Sequence, residues 1–338
     1  MTDDRDDAEL LTAGTLAPYL VRRGLADQGA EIGARELGGG VSNVVLAATA
    51  RDGRIVVKQA LARLRVRDEW LADRTRALRE ADALRIAGRL VPGSVPAVLD
   101  VDPEACAIAI ERAPEGWRNW KDDLLAGHAD PATATRLGEL LAAWHVGTAG
   151  DPEVARELSD GGAFEQLRVD PYYRTASTRR PELAAAFSAV IARMAETRTC
   201  LVHGDYSPKN VLVGDGVWVL DFEVAHYGDS AFDVAFMLNH LLLKRIHVPT
   251  AGAALERCAH DFMAAYRAGL PASLQPDEAH VVAHLGCLMV SRVDGKSPAE
   301  YLDDAGRTVA RATGSRLLVA PVDTVAEAIE RVRAAVPA

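Results

Sequence analysis

CLVHGDYSPKNVLVGDGVWVLDFE, residues 200–223, carries the reading of the whole chain. Two β-rich runs flank Gly214-Asp215-Gly216, so the segment predicts a hairpin. Ahead of the hairpin stands His203-Gly204-Asp205, with Asn210 five residues on. Asp221-Phe222-Glu223 follows, eleven residues beyond Asn210. One loop and one strand end then deliver carboxylate and amide oxygens to a single point. A carboxylate can accept or orient the proton of an attacking hydroxyl. Carboxylate and amide oxygens also suit Mg²⁺ held against phosphates. Phosphoryl transfer needs this combination.

Upstream, the first 25 residues read as one helix, with Leu10, Leu11, Leu16 and Leu20 on its apolar face. Three strands are expected next, in ARELGG, SNVVLAATA and RIVVKQA, the last two joined by Arg51-Asp52-Gly53. A helix over Trp70–Ala87 follows, burying Leu71, Ala77, Leu78, Ala81 and Leu84. VPAVLDV and ACAIAIERA complete a small antiparallel sheet. After Arg112, Pro114 and Gly116 break regular structure. Helices are then expected at 132–148, 182–195, 231–246, 251–267, 276–290, 299–312 and 322–335. The fold class is α+β with two lobes: a β-rich N-lobe over 1–113 and a mostly helical C-lobe over 114–338.

Composition narrows the function classes. The 338 residues are 49% hydrophobic and 25% charged, an ordinary globular balance. No apolar run is long enough for a membrane span. The acidic start, MTDDRDDAEL, does not read as a secretory signal, so a cytoplasmic location is expected. A net charge of −10 argues against non-specific nucleic-acid binding. Cys106, Cys200, Cys258 and Cys287 are scattered without zinc spacing and read as packed thiols. No G-x-S-x-G is present, which argues against an α/β-hydrolase.

HGD-x₄-N followed by D-F-E resembles the aminoglycoside phosphotransferase and small-molecule kinase group, which shares the protein-kinase-like fold. The resemblance covers about residues 33–300. It implies a two-lobed ATP- and Mg²⁺-dependent kinase, with Asp205 as catalytic base and Asn210 and Asp221 as metal ligands. Glu223 resembles the acidic third residue of the methylthioribose kinase triplet, which adds it as a further metal ligand. Lys58, in IVVKQA, matches the lysine that pairs the α- and β-phosphates. Glu80 is its expected partner, in preference to Glu69. Gly38-Gly39-Gly40-Val41-Ser42-Asn43 is the expected nucleotide loop: Gly39 and Gly40 let backbone approach phosphate, and Ser42 and Asn43 are candidate donors. The hinge, Glu111-Arg112-Ala113, is expected to meet adenine through the backbone of Glu111 and Ala113. His203 reads as a loop-packing residue. Asp233 reads as a structural acid at a helix start, and His145 as a packed histidine.

Two longer stretches, VVKQALARLRVRDEWLADRTRALREADAL and DFEVAHYGDSAFDVAFML, resemble methylthioribose kinases more closely. They suggest a sugar-like small-molecule substrate with a hydroxyl acceptor. The C-terminal part does not match that family clearly. Ser291–Pro298 reads as a polar break between helices, where Arg292, Asp294 and Lys296 are candidates for a polar or anionic substrate. Trp117 and Trp120 follow the hinge, as substrate-stacking or packing residues. Two other readings stay open: an aminoglycoside O-phosphotransferase, and a nucleotide-binding pseudokinase without turnover.

Overall fold

Short apolar runs, two of them buried on both faces, build the N-terminal sheet. Its strands are β1 (Gly33–Glu36), β2 (Asn43–Ala50), β3 (Gly53–Ala60), β4 (Val98–Asp102) and β5 (Ala107–Glu111). They pair antiparallel in the order β1-β2-β3-β5-β4. The structure, a computed structural model, describes residues 10–38, 41–50, 53–65 and 70–336. Arg51 and Asp52 of the expected β2–β3 turn lie outside these residues. So do Gly39, Gly40 and Glu69.

Because side chains alternate along a strand, β3 has two different faces. Ile55 and Val57 join Val44, Leu46 and Ala109 in a core closed by Leu16, Tyr19 and Leu20. The last three belong to α1 (Ala13–Arg22), whose start is fixed by a capping box between Thr12 and Thr15. The helix is therefore shorter than the first 25 residues, and Leu10, expected on its apolar face, is exposed. Lys58 projects from the other face of β3, toward α2 (Arg76–Leu90).

The helix expected from Trp70 begins only at Arg76. Residues 70–72 are extended instead: Leu64 N–H donates to Trp70 O, and Ala72 N–H to Ala62 O. Trp70 and Ala72 are buried while Leu71 is 60% exposed, a period of two where a helical period was expected.

The chain divides into two compact units. One runs to Trp117 and also takes Asp221–Val224; the other comprises Arg118–Leu220 and Ala225 onward. The second unit is mostly helical. It contains α3 (Trp120–Leu125), α4 (Pro131–Thr148), α5 (Pro152–Glu157) and α6 (Gly162–Phe164). A π-helical stretch, Glu165–Arg174, leads into α7 (Thr175–Arg179) and α8 (Ala184–Glu196). Then come α9 (Ala231–His247), α10 (Gly252–Ala268), α11 (Glu278–Asp294), α12 (Asp304–Val319) and α13 (Val325–Ala335).

Helix α9 is buried on nearly every side, from Ala231 to Ile246, as suits a central helix. α4 meets α10 at Gly138, where a Cβ would collide with the backbone of Phe262 and Tyr266. Two small sheets complete the unit. One is β6 (Arg118–Asn119), β8 (Val211–Val213) and β9 (Val217–Val219); the other is β7 (Cys200–Val202) with β10 (His226–Gly228). The expected hairpin is β8–β9, closed by Gly214 N–H to Gly216 O.

Candidate active site

In the first unit, Lys58 is the hub. Its ammonium donates to Glu80 Oε1 and to Asp221 Oδ1, each at 2.6 Å. Glu80 lies on the buried face of α2 and Lys58 is 7% exposed, so the pair is shielded from water. Burial opposes charge on Lys58, yet Asp221, Glu80 and Glu223 together hold its ammonium well above the ordinary lysine range. Glu80 is pushed up by burial, against the pull of Lys58. Asp221 has φ of +70°, in the left-handed region that costs a side-chain-bearing residue energy. Such strain clusters at functional sites.

Glu223 carries a second network that the sequence reading missed. Its Oε2 accepts from Arg76 Nε at 3.1 Å and from Asn43 Nδ2 at 2.8 Å. Arg76 is fully buried and also donates to the carbonyls of Ser42, Leu61 and Asp73. It stands four residues before Glu80, so both project from one helix face. Asn43, expected to face phosphate, donates to Glu223 and to Ser42 Oγ. Three carboxylates, Glu80, Asp221 and Glu223, thus meet two cations, Lys58 and Arg76. Their carboxylate oxygens are of the hard type that a divalent cation such as Mg²⁺ takes. The hinge backbone leaves β5 at Glu111. Glu111 N–H donates to Ala97 O and Arg112 N–H to Arg54 O within the sheet, and Ala113 lies past the strand end.

In the second unit, the loop after β7 presents Asp205. Both oxygens of Asp233 hold this loop, accepting from the amides of His203 at 2.6 Å and Gly204 at 2.8 Å. Gly204 has φ of +76°, which permits the turn. The Asp205 amide donates to His203 Nδ1, which places the ring proton on Nε2, and Nε2 donates to Leu220 O at 3.0 Å. His203 is therefore a buried brace between the loop and β9. His145 also packs, with Nδ1 2.8 Å from the Tyr266 hydroxyl.

The Asp205 carboxylate sits between two cations absent from the sequence reading: Arg168 Nη2 and Lys209 Nζ, each 2.8 Å from Oδ2. Arg168 is itself fixed by the carbonyls of Gly204 and Leu167. Asn210, on a short 3₁₀ turn, donates from Nδ2 to Asp205 O at 3.0 Å. Trp120 is buried at the start of α3 and packs. Lys209 was visible inside the motif, one turn from Asp205. Arg168 lies between the helices expected at 132–148 and 182–195, in the π-helical stretch that runs on through Pro171.

The three substrate candidates do not converge. Ser291–Asp294 is the last turn of α11 rather than a loop, and the break comes at Gly295. Asp294 is held by Arg311 through two hydrogen bonds of 2.8 and 2.9 Å. Lys296 pairs with Asp170 at 2.8 Å. Arg292 alone turns inward, to the Tyr172 hydroxyl and Ser297.

A family model described as "Phosphotransferase enzyme family" matches residues 33–276. The chain belongs to that family. Among its relatives is a methylthioribose kinase of Pectobacterium atrosepticum, 28% identical over 257 residues. The match takes in 67% of this chain and spans 64% of that relative's length. Solved structures agree on a protein-kinase-like fold. A choline/ethanolamine kinase family protein from Mesorhizobium loti aligns over 96% of this chain and 100% of its own, at TM-score 0.53 and 18% identity. Amicoumacin kinase hAmiN, in complex with AMP-PNP, aligns over 84% and 87% respectively, at TM-score 0.56 and 14% identity. No helix among the described residues is long and apolar enough to cross a membrane.

Proposed function

We propose that this chain moves the γ-phosphate of ATP to a hydroxyl of a small, sugar-like molecule. The observation that carries the reading is Lys58 bridging Glu80 and a strained Asp221. That arrangement is the nucleotide half of a phosphotransferase site. Asp205 would accept the proton of the acceptor hydroxyl. The hydroxyl oxygen bonds to the γ-phosphorus as the bond from that phosphorus to the β,γ-bridging oxygen breaks, giving ADP and a phosphate ester. Lys58 would hold the α- and β-phosphates. Asp221, with Asn210 and Glu223, would hold Mg²⁺, which when bound neutralises the phosphates. The methylthioribose kinase relatives favour a sugar-like acceptor, and the AMP-PNP complex of hAmiN favours an adenine nucleotide. Four buried free cysteines suit a cytoplasmic setting.

The test is transfer of label from γ-labelled ATP, with Mg²⁺, to a panel of sugars, sugar derivatives and aminoglycosides. Phosphorylation of sugar-like compounds, abolished by Asp205→Asn, is expected. Turnover of aminoglycosides alone would replace the acceptor class. Binding of Mg-ATP without transfer to any compound would favour the pseudokinase.

A further inference from the structure

The second unit buries a cluster of cations beyond those that brace Asp205. Lys244, on α9, is 1% exposed. Among the described residues its ammonium makes only a long hydrogen bond, 3.4 Å, to the carbonyl of His240 one turn back, and it lies 5.3 Å from the Tyr301 ring. Arg292 approaches from α11; its nearest carboxylate is Glu300, at 4.0 Å, which is already paired with Lys121 at 2.6 Å. Glu300 thus faces Lys121, Arg292 and Lys244 with a single negative charge. Buried charges without partners are costly, so a fold that keeps them has a reason to.

Among the described residues, three buried polar atoms in this cluster have no hydrogen-bond partner: His240 Nε2, Arg292 Nε and the Tyr301 hydroxyl. Such orphans are rare in folded proteins. Burial, with Arg292 and Lys121 adding to it, brings Lys244 down to about 7. Burial and the same cations keep His240 well below its usual range. Excess positive charge and unmet donors both call for an anion.

The cluster also adjoins the proposed base. The Tyr172 ring lies 5.9 Å from the Arg168 guanidinium and 5.9 Å from that of Arg292, and Arg168 holds Asp205. Toward solvent stand Lys209, half exposed, and Glu300, 64% exposed.

We propose that the acceptor carries a carboxylate or phosphate group, received by Lys244, Arg292 and His240, with its hydroxyl presented to Asp205. This rests on the phosphotransferase reading and narrows it. A polycationic aminoglycoside would be repelled here, and a neutral thiosugar would leave the cluster unpartnered.

The experiment compares matched trios as acceptors: glycerol, glycerate and glycerol phosphate; ribose, ribonate and ribose 5-phosphate. Methylthioribose and kanamycin serve as neutral and cationic controls. Within a trio an anionic member should exceed the neutral one at least tenfold in kcat/KM, and the better anion tells carboxylate from phosphate. Lys244→Met should raise the KM for the anionic acceptor at least tenfold and leave the KM for ATP in place. Lys121→Met, at a more exposed site, gives the same readout should the first variant fold poorly. Equal or better turnover of the neutral or cationic compounds would overturn the proposal, as would an equal effect of Lys244→Met on neutral and anionic acceptors. Thermal shifts separate the remaining failures. Mg-ATP stabilising the protein while none of the anionic compounds does so or is turned over overturns the anionic acceptor. Mg-ATP giving neither a shift nor turnover overturns the phosphotransferase reading itself.

Discussion

At the scale of single residues, the test is whether Lys58, Asp205 and Asp221 do different jobs. Lys58→Met removes the cation from a buried set that includes Glu80 and Asp221. Breaking such a pair from one side strands buried carboxylates, at a cost of about 3 kcal/mol or more. Denaturant unfolding should show that loss, and adding Glu80→Gln should recover part of the stability but none of the turnover. Asp205→Asn keeps the shape of the loop, so it should lower kcat by about 10²-fold or more with the KM for ATP little changed. Asp221→Ala should weaken Mg-ATP binding as well. If the two variants affect kcat and the KM for ATP alike, the separate roles fail. Lys58, Glu80 and Asp221, singled out by residue type and spacing, do meet in the structure. Arg76 and Arg168 were not singled out: an arginine on a helix reads as a surface charge until the fold shows carbonyls and a carboxylate waiting for it.

At the scale of elements, helix bodies were readable and their ends were not. α9 and α10 fall within two residues of expectation, since long periodic segments announce themselves. The start of α2 was hidden because Trp70, Leu71 and Ala72 satisfy a helical pattern as well as the extended one they adopt. The end of α11 was hidden because Arg292 and Asp294 look like loop residues, although Arg292 is buried and Asp294 is tied to Arg311. Gly138 offers an element-scale test. Gly→Ala inside a helix gains up to about 1 kcal/mol of propensity. Here the added Cβ meets the α10 backbone, and overpacking costs about 1–3 kcal/mol. The second effect should win, so Gly138→Ala should lower the melting temperature. The same substitution at Gly14, where the nearest atom lies 3.8 Å away, should not.

At the scale of the whole molecule, a net charge of −10 conceals a buried positive cluster, because composition counts charges without locating them. The pH dependence of stability exposes it. The ordinary lysine value is 10.5, and burial brings Lys244 to about 7 in the folded chain. Between those values the unfolded chain binds the extra proton, so stability rises with pH across that window and the penalty is complete below about 7. Arg292, Lys121, Glu300, Tyr301 and His240 face Lys244. Burial and the neighbouring cations keep His240 well below its usual range, and against the effect of burial the Lys121 pair holds Glu300 below its own. Tyr301, pushed up to about 12, stays protonated throughout. The charge that changes is therefore that of Lys244. Replacing it with Met should raise the melting temperature more at pH 6 than at pH 9.5, whereas a lysine that merely filled space would give the same change at both. An anionic acceptor supplies the missing countercharge, so it should stabilise the wild-type chain more at pH 6 than at pH 9.5. Above pH 7 its binding should take up a proton, measurable as a buffer-dependent heat in titration calorimetry and absent in Lys244→Met.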